Sequence, residues 1–90
     1  MKIVIVGDGK VGLTLTEQLS AEGHDLVIID RNQQVLQDSQ EAYDVMVVNG
    51  NGASMKVLKE AGADSADLLI AATSADEINM LCCITAKKMG

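Results

Sequence analysis

Short apolar runs alternate along this chain with segments in which apolar residues recur every three or four positions. The four runs occupy residues 2–6, 26–30, 44–48 and 67–73. Near-continuous apolar runs of this length are typical of parallel strands buried on both faces, whereas the intervening segments show the helical period. Alternating strands and helices with short connections predict an α/β fold with a parallel sheet and right-handed crossovers. We expect four βα units with the strand order 3-2-1-4.

Several residues mark the ends of the predicted helices. Gly23 suits the left-handed position after the first helix, and Asn32 can cap the second. Ser74 and Glu77 are spaced as a capping box, with Ser74 as the N-cap of the last helix. Its apolar residues form two sides, namely Ile78, Leu81, Cys82 and Met89 on one and Met80, Cys83 and Ile84 on the other. So wide an apolar surface indicates either a fully covered core helix or a contact with another chain.

A glycine motif follows the first apolar run. Residues 3–12 read IVIVGDGKVG, so Gly7, Gly9 and Gly12 have the spacing G-x-G-x-x-G between a strand and a helix. This spacing lets the backbone turn tightly, approach a pyrophosphate and pack the helix on the strand, and the helix start offers N–H groups to the anion. We expect this loop, with the N–H groups of Lys10 and Val11, to hold the pyrophosphate of a nucleotide.

Two charged side chains of the glycine loop have alternative roles. The Lys10 side chain either contacts a phosphate or is solvated at the start of the helix. Asp8 would repel phosphates, so it either points to solvent or assists a metal carried by the nucleotide.

An acidic residue ends the second apolar run. Asp30 lies about 20 residues after the glycines, the position whose carboxylate accepts hydrogen bonds from the ribose of the adenosine half in dinucleotide-binding folds. A carboxylate there favours NAD over NADP, whose 2′-phosphate it would repel. Arg31 could offset that repulsion or lie over the adenine.

Two further loops follow the third and fourth apolar runs. Because the carboxyl ends of parallel strands meet at one edge of the sheet, Asn51-Gly52 and Thr73-Ser74 are predicted to converge with the glycine loop and Asp30 on one crevice. Asn51-Gly52 would meet the adenine edge or form only a turn. Thr73 and Ser74 would reach the second ribose or phosphate, unless Ser74 serves only as a helix cap. The sequence thus predicts half of a Rossmann-like dinucleotide-binding fold.

Composition narrows the class of protein. The chain has 90 residues, one Tyr and no Phe or Trp, which predicts one small domain with an aliphatic core. A net charge of −6 and the lack of aromatic stacking residues argue against nucleic acid as a partner. Cys82 and Cys83 are adjacent, which disfavours a disulfide or a metal site. With no bilayer-length apolar run and no signal-peptide pattern, we expect a cytoplasmic protein without membrane insertion.

The predicted crevice lacks an evident proton donor. Tyr43 precedes the third strand and His24 precedes the second, so both belong to the opposite end of the sheet. A dehydrogenase needs such a group near the nicotinamide. The residues leave two functions open: the cofactor-binding half of an oxidoreductase whose catalytic part lies outside this chain, and a nucleotide-dependent interaction module.

The chain resembles the domain that regulates conductance of potassium (RCK, also called KTN). Three segments carry the resemblance: IVIVGDGKVGLTLTEQLSAEGHDLVIID, VVNGNGA and ADLLIAATSADEINMLCCITAKKMG. The pattern A-x-T-x-x-x-E-x-N at Ala71, Thr73, Glu77 and Asn79 is particular to this family. The resemblance covers residues 1–90, which correspond to the N-terminal nucleotide-binding domain of such modules.

This resemblance implies a cytoplasmic regulatory module that is not an enzyme. It would bind NAD(H), or ATP or ADP in related members, and control a membrane potassium channel or transporter. By position, residues 7–12 would form the phosphate loop and Asp30 the ribose acid, with Asn51, Gly52, Thr73 and Ser74 completing the pocket. Relatives often have Asp-Gly or Asp-Ala where this chain has Asn51-Gly52. Family modules continue into two more strands and pairing helices. We therefore expect a chain truncated relative to the full module that self-associates through its last helix or its fourth strand.

Overall fold

The computed structural model describes residues 1–7 and 9–89, in which one parallel sheet has helices on both faces. The strand order is β3-β2-β1-β4, so the predicted α/β class and the order 3-2-1-4 are confirmed. The elements in chain order are β1 (Lys2–Val6), α1 (Lys10–Ala21), β2 (Asp25–Asp30), α2 (Gln33–Ala42), β3 (Met46–Asn49), α3 (Met55–Glu60), a 3-10 helix (Ala63–Ser65), β4 (Leu68–Ala71) and α4 (Asp76–Met89).

The two central strands supply most of the core, and their side chains alternate between the two faces of the sheet. Val4 and Val6 of β1 pack toward α3 and α4, whereas Ile3 and Ile5 pack toward α1 and α2. The register aligns Val4 with Val27 of β2, so that aliphatic side chains of neighbouring strands lie side by side. The core is aliphatic, as the composition predicts. Burial on both faces explains the near-continuous apolar runs.

The first turn of α1 buries small and polar residues. Val11 is 62% exposed, although a spacing of four with Leu15 and Leu19 is typical of one helical face. Gly12 and Thr16 are buried instead, and a Cβ at position 12 would clash with the Gly7 carbonyl. The buried Thr16 hydroxyl donates to the Gly12 carbonyl at 2.8 Å, which satisfies its hydrogen-bonding capacity inside the helix.

Two of the predicted helix ends are confirmed. Gly23 follows α1 with φ +83°, and the N–H of His24 donates to the Leu19 carbonyl at 3.4 Å. Asn32 caps α2, because its side-chain oxygen accepts from the N–H groups of Gln34 and Val35 at 3.0 and 3.2 Å.

The predicted capping box at the last helix is wrong. Helix α4 begins at Asp76, and Ser74 is an exposed residue of the preceding loop. Strand β4 also ends at Ala71 rather than at Thr73. The N–H of Thr73 donates to the side chain of Asn79 at 2.9 Å instead of to a strand, so the chain leaves the sheet before this residue.

The outer strands and α4 expose apolar side chains. Met46 of β3 is 66% exposed and Leu68 of β4 is 46% exposed, one at each edge of the sheet. On α4, Cys82 is fully buried, whereas three neighbouring apolar residues are at least half exposed: Met80, Leu81 and Ile84. Leu81 is therefore half exposed and Cys82 is buried, although the sequence analysis placed both on one side of the helix. No helix within the described residues is both long and apolar enough to cross a bilayer.

Candidate functional site

A cavity of about 320 Å³ opens at the carboxyl ends of β1, β2 and β4. This is the edge of a parallel sheet at which α/β folds bind ligands, next to the point where the strand order reverses. The loops after all four strands contribute to its walls. The lining residues are Val6, Gly7, Gly9, Ile29, Asp30, Arg31, Gly50, Asn51, Gly52, Ala72, Thr73, Ser74, Ala75 and Ile78.

The glycine loop packs tightly at its first and third glycines and is open at the second. Gly7 has φ +100°, and a Cβ there would lie 2.9 Å from the Ala72 carbonyl and from the Thr73 nitrogen. Gly12 touches the Gly7 carbonyl, which brings α1 against the loop. By contrast, a Cβ at Gly9 would meet no described atom within 4 Å. Gly9 therefore has open space above it on the cavity side, where the second glycine of such motifs lets a phosphate approach.

The start of α1 offers backbone donors beside this loop. The first helical bond runs from the Leu13 N–H to the Gly9 carbonyl at 2.7 Å, with Gly9 as the N-cap. The N–H groups of the three preceding helical positions therefore have no acceptor within the helix. Together with the positive end of the helix dipole, they favour an anion at this point.

Asp30 is held at the tip of β2 by backbone and side-chain bonds. Its Oδ1 accepts from the Asn32 N–H at 2.8 Å, which orients the carboxylate. Its backbone carbonyl accepts from the Gly50 N–H at 2.9 Å and from Asn49 Nδ2 at 3.2 Å. The neighbouring Arg31 is exposed. These are the charged residues of the cavity lining among the described residues, so the site is polar at the β2 end.

The loop after β3 is a tight turn built on Asn51. Its side-chain oxygen accepts from the Ala53 N–H at 2.9 Å, and its carbonyl accepts from the Ser54 N–H at 3.0 Å. Gly52 is buried against Val6, and any Cβ at this position would clash with the Val6 side chain. The glycine here is required by packing against β1, and the Asn51 oxygen is engaged within the turn.

The loop between β4 and α4 forms the opposite wall. Asn79 Oδ1 accepts from the Thr73 N–H at 2.9 Å and lies 2.5 Å from the Thr73 hydroxyl oxygen. Asn79 Nδ2 donates to the Thr73 carbonyl at 3.0 Å. The Thr73 hydroxyl oxygen also accepts from the Ala75 N–H at 3.3 Å, which closes the turn just before α4.

The structure brings most of the predicted site residues together. The predicted residues that line the cavity are Gly7, Gly9, Asp30, Arg31, Asn51, Gly52, Thr73 and Ser74. Lys10, Val11 and Gly12 lie beside the loop but outside the lining, and Asp8 lies outside the described residues. Contact of any of these residues with a nucleotide stays a prediction. Tyr43 and His24 are absent from the lining.

Sequence reasoning missed several residues of the cavity. Ala75 and Ile78 line it from the start of α4, and Gly50 lines it next to Asp30. Asn79 belongs to the family pattern found in the sequence, and its bonds to Thr73 explain physically why an asparagine stands there. In the described part of the chain, no three His, Cys, Asp or Glu side chains form a group that could hold a metal ion.

Comparison with known proteins identifies the family. The family model of the TrkA-N domain matches residues 3–90. The chain belongs to the TrkA-N domain family. Among relatives of this TrkA-N chain, the Trk system potassium uptake protein TrkA of Haemophilus influenzae is 49% identical over 83 residues. The match covers 92% of the chain and 18% of that protein, so the chain spans a small part of that relative.

Solved structures of similar domains share this TrkA-N fold. The TrkA-N domain of the inner membrane protein ybaL from Escherichia coli has a TM-score of 0.91 and 26% identity, covering 99% of this chain and 65% of that one. The Kef CTD of Shewanella denitrificans, in its AMP-bound form, has a TM-score of 0.85 and 31% identity. This match covers 98% of the TrkA-N chain and 52% of the other chain.

Proposed function

We propose that this TrkA-N chain binds NAD(H) in the cavity and thereby regulates a membrane potassium transporter or channel, without catalysing a reaction. One observation carries the proposal: Gly7, Gly9 and Asp30 line a single cavity beside the start of α1. A phosphate-binding backbone and a carboxylate one strand away form the pair of contacts that a dinucleotide needs. The ligand and the membrane partner are supported by different observations.

The ligand half rests on the contacts described around Asp30 and the glycine loop. The diphosphate would bind the N–H groups at the start of α1, and the adenosine ribose would bind the oriented Asp30 carboxylate. The carboxylate favours NAD over NADP, although exposed Arg31 reduces that preference. The Kef CTD, which shares this fold, was solved in an AMP-bound form, which supports an adenosine ligand for this chain. ATP or ADP is therefore the alternative ligand class.

The partner half rests on family membership. The Haemophilus influenzae relative is named as a potassium uptake protein of the Trk system, and control of potassium transport is the function that we carry over. The chain would act on the cytoplasmic side of the membrane as part of a homo-oligomer. Nucleotides would act by binding one conformation of that assembly more tightly than another.

The cavity lining also favours regulation over catalysis. Among the described lining residues, the titratable side chains are Asp30 and Arg31, and Asp30 is already assigned to the ribose. A hydride-transfer enzyme needs a proton donor or acceptor near the nicotinamide, commonly His, Tyr or Lys. The oxidoreductase alternative would need that group from a segment outside this chain.

The test is a calorimetric binding panel with NAD, NADH, NADP, NADPH, ATP and ADP. We expect NADH or NAD to bind most tightly, and Asp30→Ala to weaken NADH binding about tenfold, because one well-made charged hydrogen bond contributes on the order of 1.4 kcal/mol. Asp25→Ala is the matched control, since Asp25 is an exposed acid at the opposite end of the same strand. Tighter binding of NADPH than of NADH, or an unchanged affinity in Asp30→Ala, would contradict the role given to Asp30.

A further inference from the structure

Asn79 is tied to Thr73 by three polar contacts between one side chain and one residue. The amide oxygen receives the Thr73 N–H and lies beside the Thr73 hydroxyl, and the amide nitrogen donates to the Thr73 carbonyl. Both polar ends of the Asn79 amide are thus used by the same residue of the β4–α4 loop. Thr73 lines the cavity and Asn79 does not.

The Thr73 side chain is committed to the same turn. Its hydroxyl oxygen accepts from the Ala75 N–H at 3.3 Å and lies 3.1 Å from the Ala75 carbonyl oxygen and 2.5 Å from Asn79 Oδ1. A hydroxyl has one proton to donate, and both of these acceptors belong to the turn. Thr73 therefore shapes the wall through its turn rather than by donating its hydroxyl proton to a ligand.

This wall touches the glycine loop directly. A Cβ on Gly7 would lie 2.9 Å from the Ala72 carbonyl carbon and oxygen and from the Thr73 nitrogen, so the two loops are in backbone contact. The peptide that Asn79 holds is thus the one that packs on the first glycine. Together with the bond from the Ala72 N–H to the Val6 carbonyl at 2.7 Å, Asn79 holds this peptide against the glycine loop.

The cavity has two ends, and the wall held by Asn79 forms one of them. Because β1 lies between β2 and β4, the glycine loop lies between the Asp30 end and the Thr73 end. A mononucleotide with its ribose on Asp30 and its phosphates on the glycine loop makes its contacts without the Thr73 end. A dinucleotide carries a second nucleoside beyond the diphosphate, and that nucleoside must lie along the Thr73 wall.

We propose that Asn79 is a positioning residue that shapes the Thr73 wall for the second nucleoside, so that it determines selectivity for dinucleotides over adenine mononucleotides. This inference rests on the proposed nucleotide site. A wall that is preorganised by hydrogen bonds loses less conformational freedom when a ligand binds. Asn79 thus contributes to the affinity for NADH and contributes little to the affinity for ADP, which shares the adenosine and the diphosphate.

The test compares NADH and ADP by calorimetry on the 90-residue chain and on Asn79→Ala. We expect NADH binding to weaken about tenfold and ADP binding to change less than about twofold, so the ratio of the two affinities falls. Gln37→Ala is the control, because it removes an exposed amide from α2 that bonds only within its own helix. A merely structural role for Asn79 would lower the melting temperature and weaken both ligands equally, which would overturn the inference.

A second pair of variants covers the case in which Asn79→Ala fails to fold. Thr73→Val removes the hydroxyl with little change of shape, and Thr73→Ser retains it. We expect Thr73→Val to lower the ratio of the NADH affinity to the ADP affinity, and Thr73→Ser to keep the ratio of the original chain. Equal ratios in the two variants would overturn the inference. If the original chain bound neither nucleotide, the proposed function itself would fail, whereas binding of both with unaltered ratios would refute only the role of Asn79.

Discussion

At position 9, the fold does not require glycine, whereas ligand binding does. Its φ of −78° is open to any residue, and a Cβ would meet no described atom within 4 Å. The structure alone therefore gives no reason for glycine at this position. A phosphate resting on the loop gives one, because a methyl group would hold it away from the backbone.

We expect Gly9→Ala to separate stability from affinity. The free energy of unfolding should stay the same or rise by up to about 1 kcal/mol, since alanine restricts the unfolded chain, while NADH affinity should fall about tenfold. Chemical denaturation and calorimetry measure the two quantities. Gly23→Ala is the converse control, because Gly23 has φ +83° and lies far from the cavity. This substitution should lower the free energy of unfolding by about 1–2 kcal/mol and leave NADH affinity unchanged. Undiminished NADH binding by Gly9→Ala would contradict close phosphate approach.

The two adjacent cysteines differ in their surroundings. Cys82 is fully buried between α4 and the sheet, and Cys83 is exposed. Burial, with a smaller contribution from the neighbouring Cys83, raises the pKa of Cys82 to about 11. Because the thiolate is the reactive form, Cys82 should resist thiol reagents for two reasons: the side chain is inaccessible, and its thiol stays protonated.

Thiol titration with an aromatic disulfide reagent at mildly alkaline pH should therefore detect one reactive group in the folded chain and two in denaturant. Cys83→Ser should abolish the reaction of the folded chain. Since folding raises the pKa of Cys82, its contribution to stability is complete below the pKa of the unfolded thiol and is lost as the pH rises through about 11. Rapid labelling of Cys82 in folded Cys83→Ser would show that α4 opens readily.

At the scale of elements, α2 is fixed at its start by Asn32. The side chain caps the helix, and the backbone N–H of the same residue orients Asp30. Helix capping and carboxylate orientation therefore come from different groups of one residue. A substitution that removes the Asn32 side chain therefore removes the cap and keeps the backbone bond that orients the Asp30 carboxylate.

Asn32→Ala should lower the free energy of unfolding by about 1 kcal/mol, the usual effect of losing a side-chain cap. NADH affinity should change less than about twofold, because the backbone donor to Asp30 remains. Urea titration and calorimetry check the two expectations, with Gln37→Ala as an amide deletion in the middle of the same helix. A large loss of affinity would mean that the Asn32 side chain itself contacts the nucleotide.

The elements also show how far the sequence predicts this molecule. The runs around Val4 and Ile28 identify central strands because both faces are buried, and Asn32 and Gly23 mark helix ends through local bonds. The predicted end of β4 at Thr73 was wrong, because the Thr73 N–H bonds to the side chain of Asn79, six residues later, and not to a neighbouring strand. Contacts between residues that are distant in the sequence produce no periodic pattern from which they could be predicted. Gly52 is a second case, because only its contact with the Val6 side chain explains the glycine.

At the scale of the whole molecule, α4 and the edge strand β4 both expose apolar side chains. Met80, Leu81 and Ile84 of α4 are at least half exposed, and Leu68 of β4 is 46% exposed. An edge strand with unpaired backbone groups favours pairing with another chain. This surface is therefore the expected site of self-association.

Sedimentation at increasing concentration should show association of the original chain, and Ile84→Lys should weaken it by placing a charge in the apolar contact. Met46→Lys is the matched control, since Met46 is exposed on the opposite edge of the sheet. A monomeric mass at every concentration, or equal effects of the two variants, would contradict association through α4 and β4.

The aliphatic core has a practical consequence for detecting ligands. Tyr43 is the sole aromatic ring among Phe, Trp and Tyr in the sequence, and it packs against the cluster under α2, away from the cavity lining. The polypeptide consequently absorbs little ultraviolet light of its own. An adenine carried through purification would dominate the absorption spectrum of the sample, so a freshly isolated preparation reports its own occupancy before any titration begins.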